Sequence, residues 1–330
     1  TLDGTLFPYT TLFRSIKTTV RAQSEAVGAV TCDGRYAFSD HAWRGTVACD
    51  VERATTPFLG EEEIRELVQP VLAEFGASTF EVTFTAPTAE APDMAIAASR
   101  RGAPRCAAHV VFKQRDDGYA LGDVSAEASI PTKGVVPALP IEVTAADGAI
   151  DVRFAHIAED AAYRVDADLT ACRLDTTRHL FKRAGDAITV ALAGKTDTWA
   201  PTDITVDLMG EVVPLHVDDG RVSAKDVDID LGPLARLLPD GAKTSGRLRG
   251  SFVSEPLSAD LVFENAQVVV TPELAVESLS GALSYTPEAA SCERLVFSAV
   301  GSQGVVTAHW TPVAWNGSLG AARVDVNAIK

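Results

Sequence analysis

Aromatic residues, basic residues and long apolar runs are all scarce in this sequence, and each shortage excludes a class of protein. Aromatic residues make up 7% of the 330 positions although 46% are hydrophobic, and this balance of small side chains favours thin sheets over one thick core. The 29 basic against 45 acidic residues give a net charge of −16, which repels phosphate backbones and disfavours nucleic-acid binding. No segment approaches the roughly 18 apolar residues of a membrane-spanning helix. We therefore expect any contact with lipid to come from apolar burial rather than from a broad charged surface.

Catalytic and metal-binding motifs are also missing. The cysteines are widely spaced and form no C-x-x-C pair, so zinc and thioredoxin-type redox sites have little support. They fit either buried small apolar residues or one disulfide. The sequence has no G-x-S-x-G motif, P-loop or G-x-G-x-x-G fingerprint, and no two of its six histidines have metal-ligand spacing. We predict a protein that is not an enzyme and needs no cofactor or metal. The five cysteines are Cys32, Cys49, Cys106, Cys172 and Cys292.

An acidic cluster and two basic doublets each allow a binding role or an ordinary surface role. Asp226, Asp228 and Asp230 alternate on one strand face and could bind calcium. Calcium sites usually need a loop that wraps around the ion, so a solvated acidic face is the preferred interpretation. The basic doublets Arg100-Arg101 and Lys182-Arg183 could touch a lipid phosphate or be ordinary surface residues.

The first residues of the chain have an unusual sequence. The string TLFPYTTLFRS, Thr5–Ser15, resembles a translated sequencing adapter. We interpret residues 1–15 as non-native and leave them out of the fold prediction, as a cloning scar would be. The alternative is a natural β-strand rich in Thr, Phe and Leu. On the first interpretation, we expect the natural N-terminus to be missing, together with any signal sequence or membrane anchor.

Alternation with a period of two residues dominates after residue 76 and predicts β-strands with one dry and one wet face. Phe80, Val82 and Phe84 alternate with polar residues. Asp-Gly turn signals separate such segments at intervals of about 8–15 residues. The predicted fold is mostly β, a long antiparallel meander curled into an open groove, with two or three short helices. The same alternation recurs at 163–171, 188–192, 204–208, 279–285 and 295–299.

One break in this alternation predicts a β-bulge. The apolar positions are even-numbered up to Ala224 and odd-numbered from Val227. A single extra residue keeps both sets on one face, so we place a bulge near Lys225-Asp226.

Helical patterning is scarce. Residues 61–75 carry one apolar stripe, and Pro70 inside it should kink or split this amphipathic helix. Two shorter helical pieces are predicted at Thr177–Arg183 and Leu231–Leu238. So few helices cannot cover a sheet of this many strands. The predicted organisation is an N-terminal β-rich part at 16–155 and a more regular β part at 156–330.

The second half of the chain resembles a known family. The repeated order is a short helix, a Gly-containing strand, an apolar strand and a second Gly-containing strand. This order resembles the strand pattern of AsmA-like and DUF3971-type bacterial envelope proteins, relatives of TamB, over about residues 160–330. The segments are DIDLGPLARLLPDG (228–241), SGRLRGSF (245–252), EPLSADLVFENAQVVVTPEL (255–274), VESLSGALSY (276–285) and LVFSAVGSQGVVTAHW (295–310).

The resemblance implies a function. Such a protein would be anchored in the inner membrane of a Gram-negative bacterium and would project into the periplasm. Its rolled sheet would shield the acyl chains of phospholipid or another acyl lipid, for transport between membranes and outer-membrane biogenesis. Outer-membrane proteins are further expected partners. Alternation fixes which residues share a face, but not which face points inward. The predicted lipid-lining residues are Leu248, Leu261, Phe263, Val268, Val270, Leu279, Leu283, Leu295 and Phe297.

Two other functions remain open at the level of sequence. One is a structural or assembly module for outer-membrane proteins, with a dry β-sandwich core. The other is an enzyme acting on envelope polysaccharide, which would need a pocket of converging carboxylates or histidines.

Overall fold

Alternating side chains produce β-strands along most of the chain, as the sequence predicts. The structure, a computed structural model, describes residues 14–24, 28–55, 62–100, 102–135, 142–177, 180–271, 274–299, 302–311 and 314–323. Strands account for 72% of the chain and form a long, open antiparallel sheet, confirming the predicted mostly-β class. The prediction about residues 1–15 falls outside the described residues, except for Arg14 and Ser15.

The strands and helices have the following bounds. The first eleven strands are β1 (Ser15–Ser24), β2 (Gly28–Ala37), β3 (Ala42–Asp50), β4 (Ala77–Thr85), β5 (Met94–Arg100), β6 (Arg105–Arg115), β7 (Gly118–Pro131), β8 (Val143–Asp147), β9 (Ala149–Ile157), β10 (Ala162–Asp168) and β11 (Arg173–Thr176). The other eleven are β12 (Phe181–Lys182), β13 (Ile188–Lys195), β14 (Pro201–Leu208), β15 (Glu211–Asp218), β16 (Arg221–Asp230), β17 (Lys243–Ser254), β18 (Leu257–Thr271), β19 (Leu274–Thr286), β20 (Ala289–Ala299), β21 (Ser302–Thr311) and β22 (Ala314–Arg323). The helices are α1 (Val51–Thr55), α2 (Glu62–Phe75), α3 (Thr132–Val135) and a 3₁₀ helix (Gly232–Leu237).

The chain divides into two units. Unit 1 comprises Thr1–Pro140 and Ala149–Val165, and unit 2 comprises Ile141–Gly148 and Asp166–Lys330. In unit 1, β1 to β7 pair in sequence order, each antiparallel to the next, and β9 pairs with β7. In unit 2, β13 to β22 form one continuous antiparallel meander, and β8, β11 and β12 form a separate three-stranded sheet.

In the first hairpins of unit 1, a tryptophan ring passes over a glycine on the neighbouring strand. Trp43 of β3 lies between Tyr36 on β2 and Phe84 on β4 in the strand register. Its indole Nε1 donates a hydrogen bond to Thr18 Oγ1 on β1 at 2.7 Å, so the ring must pass over the intervening strand. A Cβ atom at Gly34 would overlap this ring, which explains glycine at that position.

The predicted bulge in β16 is confirmed. The register between β16 and β17 shifts between Ala224 and Val227, and Asp226 has a φ of 55°. Aspartate tolerates this left-handed conformation better than most residues. Two further bulges, at Asn265 in β18 and Arg294 in β20, also have positive φ and were not predicted.

The helix predictions have mixed outcomes. Helix α2 matches the predicted segment 61–75 and continues through Pro70, so the chain does not split there. The predicted piece at Leu231–Leu238 is the 3₁₀ helix Gly232–Leu237, which has Pro233 in its first turn. The helix predicted at Thr177–Arg183 is wrong, because residues 181–182 are strand β12 and pair with β11. A segment of seven residues with few apolar positions cannot outweigh such pairing.

Few described side chains are fully buried, and the apolar ones among them are mostly small. No leucine, phenylalanine, methionine or tryptophan whose side chain is described belongs to this set. A face packed against a second layer would bury just these residues. In the described residues, therefore, most large apolar side chains are only partly buried, which does not fit a face packed against a second layer. The buried apolar residues are Ala42, Ile150, Tyr163, Cys172, Ala224, Val227, Ala266, Ala275 and Cys292.

Candidate apolar binding face

The lining residues predicted in unit 2 share one face of the sheet. Leu248 lies opposite Phe263, and Leu261 lies opposite Leu283. The register continues across β19 and β20, where Leu279 lies opposite Phe297. Eight of the nine are half-buried, and Val268 is exposed at 37%. We call this surface, with Leu248, Leu261, Phe263, Val268, Val270, Leu279, Leu283, Leu295 and Phe297, the unit 2 apolar face.

Bulges are the reason why residues of both parities reach this face. In β18, Phe263 pairs with Gly281, and Ala266 pairs with Leu279. Three residues on β18 therefore match two on β19, and the extra one is accommodated at Asn265. Odd-numbered residues before the bulge and even-numbered residues after it then point the same way.

The opposite side of these strands is polar. Asp228 Oδ1 lies 2.8 Å from Arg247 Nε and 3.3 Å from Arg249 Nε. Arg249 Nη1 lies 2.6 Å from Glu264 Oε1, which extends the ladder across three strands. These side chains are 43–49% exposed, so each pair contributes at most about 1 kcal/mol. The ladder engages Asp228 in ion pairs, in keeping with a solvated charged face.

Unit 1 has an apolar face of its own. Val82 of β4 lies between Gly45 and Ala98, and Phe84 lies between Trp43 and Ile96. The same parity continues through β6, β7 and β9. The residues that share this face include Val30, Cys32, Tyr36, Val47, Phe80, Ile96, Ala108, Val110, Val124, Ala126, Val152 and Phe154. We call it the unit 1 apolar face.

A depression of about 230 Å³ lies in the unit 1 apolar face, and it was not predicted. Its floor consists of alanines on β5, β6 and β7, and larger side chains rise at both sides, Phe80 on β4 and Phe154 on β9. An apolar cavity of roughly 150 Å³ already accepts a benzene-sized guest. The alternation of alanine with polar residues was the available signal. The lining consists of Phe80, Ala98, Cys106, Ala108, Ala126, Ala128, Ile130, Val152 and Phe154, together with Ala107 and Glu127, which belong to the opposite face by parity.

Arg100 places a positive charge at one end of this depression. Arg100 is the last residue of β5 and pairs with Cys106, which lines the depression. The Arg100 guanidinium carbon lies 5.8 Å from the centre of the Phe75 ring at the end of α2. Burial raises the pKa of the Cys106 thiol, and the neighbouring Arg100 charge opposes that rise. Arg100 is half-buried, so its charge is partly withdrawn from water.

A buried polar cluster in unit 2 fastens the 3₁₀ helix. Lys182 is 6% exposed, and its ammonium donates to the carbonyl oxygens of Cys172 at 3.0 Å and Arg183 at 2.9 Å. Burial lowers the pKa of Lys182. Asp186 is fully buried, and its Oδ1 lies 2.6 Å from Arg236 Nη2 as an ion pair outside hydrogen-bond geometry. Because protein groups satisfy these charges, we assign the cluster a structural role.

The remaining sequence candidates do not converge. The His156 ring is buried and its Nδ1 donates to the Gly122 carbonyl oxygen at 2.9 Å. All five cysteines are free thiols. Within the described residues, no three His, Cys, Asp or Glu side chains are grouped to hold a metal ion. None of the described helices combines the length and apolar composition of a bilayer-spanning segment.

No known protein family, curated protein or solved structure matches this chain. The resemblance to AsmA-like proteins therefore stays a prediction.

Proposed function

We propose that this chain shields lipid acyl chains on its apolar sheet faces, as part of a periplasmic protein anchored to the inner membrane. Its role would be phospholipid transport between membranes and outer-membrane biogenesis. The observation that supports this proposal is that large apolar side chains of the described strands line one face in each unit, and no described leucine or phenylalanine among them is fully buried. The envelope location and the anchor rest on the family resemblance alone.

Exposed apolar surface of this kind costs free energy in water, and an acyl chain is a suitable cover. Contiguous apolar patches larger than a few hundred Å² are rare on soluble proteins unless something binds there. Each methylene group removed from water contributes about 0.8 kcal/mol. A tail of about sixteen carbons could therefore gain ~10 kcal/mol before the costs of association are subtracted.

The assembly module with a dry sandwich core has less support. Two sheets packed face to face would bury the leucines and phenylalanines between them. Leu261 and Phe297 are half-buried instead, and Val268 is exposed. A polysaccharide hydrolase would need facing carboxylates in a cleft. The apolar depression in unit 1 is lined mainly by alanine, valine and phenylalanine, which suits an alkyl chain.

Native mass spectrometry of protein purified gently from Gram-negative envelope extracts tests the proposal. Wild-type protein should carry lipid-sized adducts. The variant Phe297→Asp should carry fewer of them, because a charge on the unit 2 apolar face repels an alkyl chain there while the unit 1 apolar face is unchanged. The matched variant Val296→Asp changes the preceding residue, whose side chain is 40% exposed on the opposite face. This variant should retain the wild-type level of lipid adducts.

The result that would overturn the proposal is a lipid-free spectrum from wild-type protein. Equal lipid occupancy in Phe297→Asp and Val296→Asp would also count against it, because the two faces would then be equivalent. Circular dichroism of both variants checks that the strands remain folded.

A further inference from the structure

Arg100 gives the depression in unit 1 a polar end. Among the charged residues with a defined partner in β1–β7 and β9, Arg100 is the only one on the unit 1 apolar face. The other charges in these strands, such as Arg105, Glu127 and Arg153, alternate onto the opposite face. A charge on an otherwise apolar surface needs a partner of opposite sign or strong hydrogen bonds.

The surroundings of Arg100 satisfy it only in part. Its Nη1 donates a hydrogen bond to the Pro104 carbonyl oxygen, and its guanidinium lies over the Phe75 ring. Among the residues that the structure describes, no carboxylate forms an ion pair with Arg100. A guanidinium carries five N–H donors in a planar fork that matches the oxygens of a phosphate. Neither a carbonyl nor an aromatic ring neutralises its charge.

We infer that Arg100 binds the phosphate of a phospholipid whose acyl chain lies in the depression. This inference rests on the proposed function and adds the residue that holds the phosphate and the place where the acyl chain lies. The apolar lining from Phe80 to Phe154 contacts the alkyl chain, and the cation beside Cys106 contacts the head group. An acyl lipid that lacks a phosphate fills the depression but leaves the Arg100 charge without an anion.

Two lipids with identical tails distinguish the contribution of the head group to affinity from that of the alkyl chain. Full-length chain freed of lipid is titrated with fluorescent dioleoylphosphatidylethanolamine and with dioleoylglycerol carrying the same label. Neither lipid has a net charge, so the overall charge of the protein acts equally on both. Wild-type protein should bind the phospholipid at least about tenfold more tightly, as one charge-assisted hydrogen-bond pair predicts.

The variant Arg100→Gln should lose most of this preference without weakening dioleoylglycerol binding. Arg100→Lys keeps the charge but not the fork and should show an intermediate preference. Arg105→Gln is the matched control, because it removes the same charge at the same end of the sheet from the opposite face. It should keep the wild-type preference.

The outcomes separate this inference from the proposed function. Equal binding of both lipids by wild-type protein overturns the inference and leaves the proposed function standing. Loss of the preference in Arg105→Gln to the same extent as in Arg100→Gln also overturns it. Failure of wild-type protein to bind either lipid overturns the proposed function itself.

Discussion

At the scale of single residues, the strands can follow their register only where particular side chains are absent. Gly246 has a φ of +86°, and a Cβ there would overlap the Asn265 carbonyl oxygen at the bulge of β18. Gly241, in the turn before β17, has nearly the same φ of +89°, but no atom lies within 4 Å of the position its Cβ would take. The two positions have almost the same backbone angle, but only Gly246 lies close to a neighbouring strand.

These two glycines give a matched pair of substitutions. Gly241→Ala should lower the free energy of unfolding by about 1–2 kcal/mol, the cost of a left-handed conformation for an L-residue. Gly246→Ala should cost a further ~1–3 kcal/mol, because the added methyl group must displace backbone. Guanidinium denaturation of both variants measures the difference. Equal midpoints would mean that the strands do not approach as closely as described.

Sequence reasoning predicted the fewest features at the scale of single residues. Alternation placed Leu261 and Phe263 on one face, and the register agrees. Alternation did not predict the depression in the unit 1 apolar face, because a depression depends on differences in side-chain size between neighbouring strands. The alanines of β5, β6 and β7 were therefore missed as a site although their alternation was visible. Arg100 stood out in the sequence as part of a basic doublet, but only pairing with Cys106 places it beside the depression.

At the scale of elements, bulges keep the apolar faces continuous. The bulge at Asp226 was predictable because the apolar positions on either side change from even to odd. The same change occurs between Phe263 and Ala266, so the bulge at Asn265 had an equivalent signal. The failed helix prediction at Thr177–Arg183 has a different cause. Pairing of Leu174 with Lys182 and burial of the lysine are tertiary contacts that local patterning does not contain.

The bulge at Asp226 can be tested at its own position. Asp226→Val should lower the free energy of unfolding by about 1–2 kcal/mol, because a β-branched residue is strained at a φ of 55°. Asp226→Gly should be neutral or should raise it by up to about 1 kcal/mol, since glycine adopts this conformation without strain. Urea midpoints of the two variants provide the measurement. A more stable valine variant would contradict the bulge, since ordinary strand positions favour valine over glycine.

At the scale of the whole molecule, the apolar surface exceeds what the described helices cover. Each unit contains an antiparallel sheet with one apolar and one polar face, and the fully buried apolar residues are mostly small. Sequence reasoning foresaw this imbalance from the number of alternating strands and the scarcity of helices. A protein built this way derives less stability from each large apolar residue than one with a packed core, because each is only partly removed from water.

This partial burial predicts how far a charge placed on the unit 2 apolar face lowers the free energy of unfolding. In a packed core, Leu261→Asp would cost more than about 4 kcal/mol and would prevent folding. On an open face, we expect lipid-free protein to lose only about 1–2 kcal/mol, because Leu261 is not fully buried and the new carboxylate can reach water. Val262→Asp is the control for strand propensity, since Val262 is 40% exposed on the opposite face and adjacent in sequence. Denaturation curves of the two variants should therefore lie within about 1.5 kcal/mol of each other. If Leu261→Asp does not fold while Val262→Asp does, the unit 2 apolar face is packed against another layer, and an acyl chain cannot bind on it.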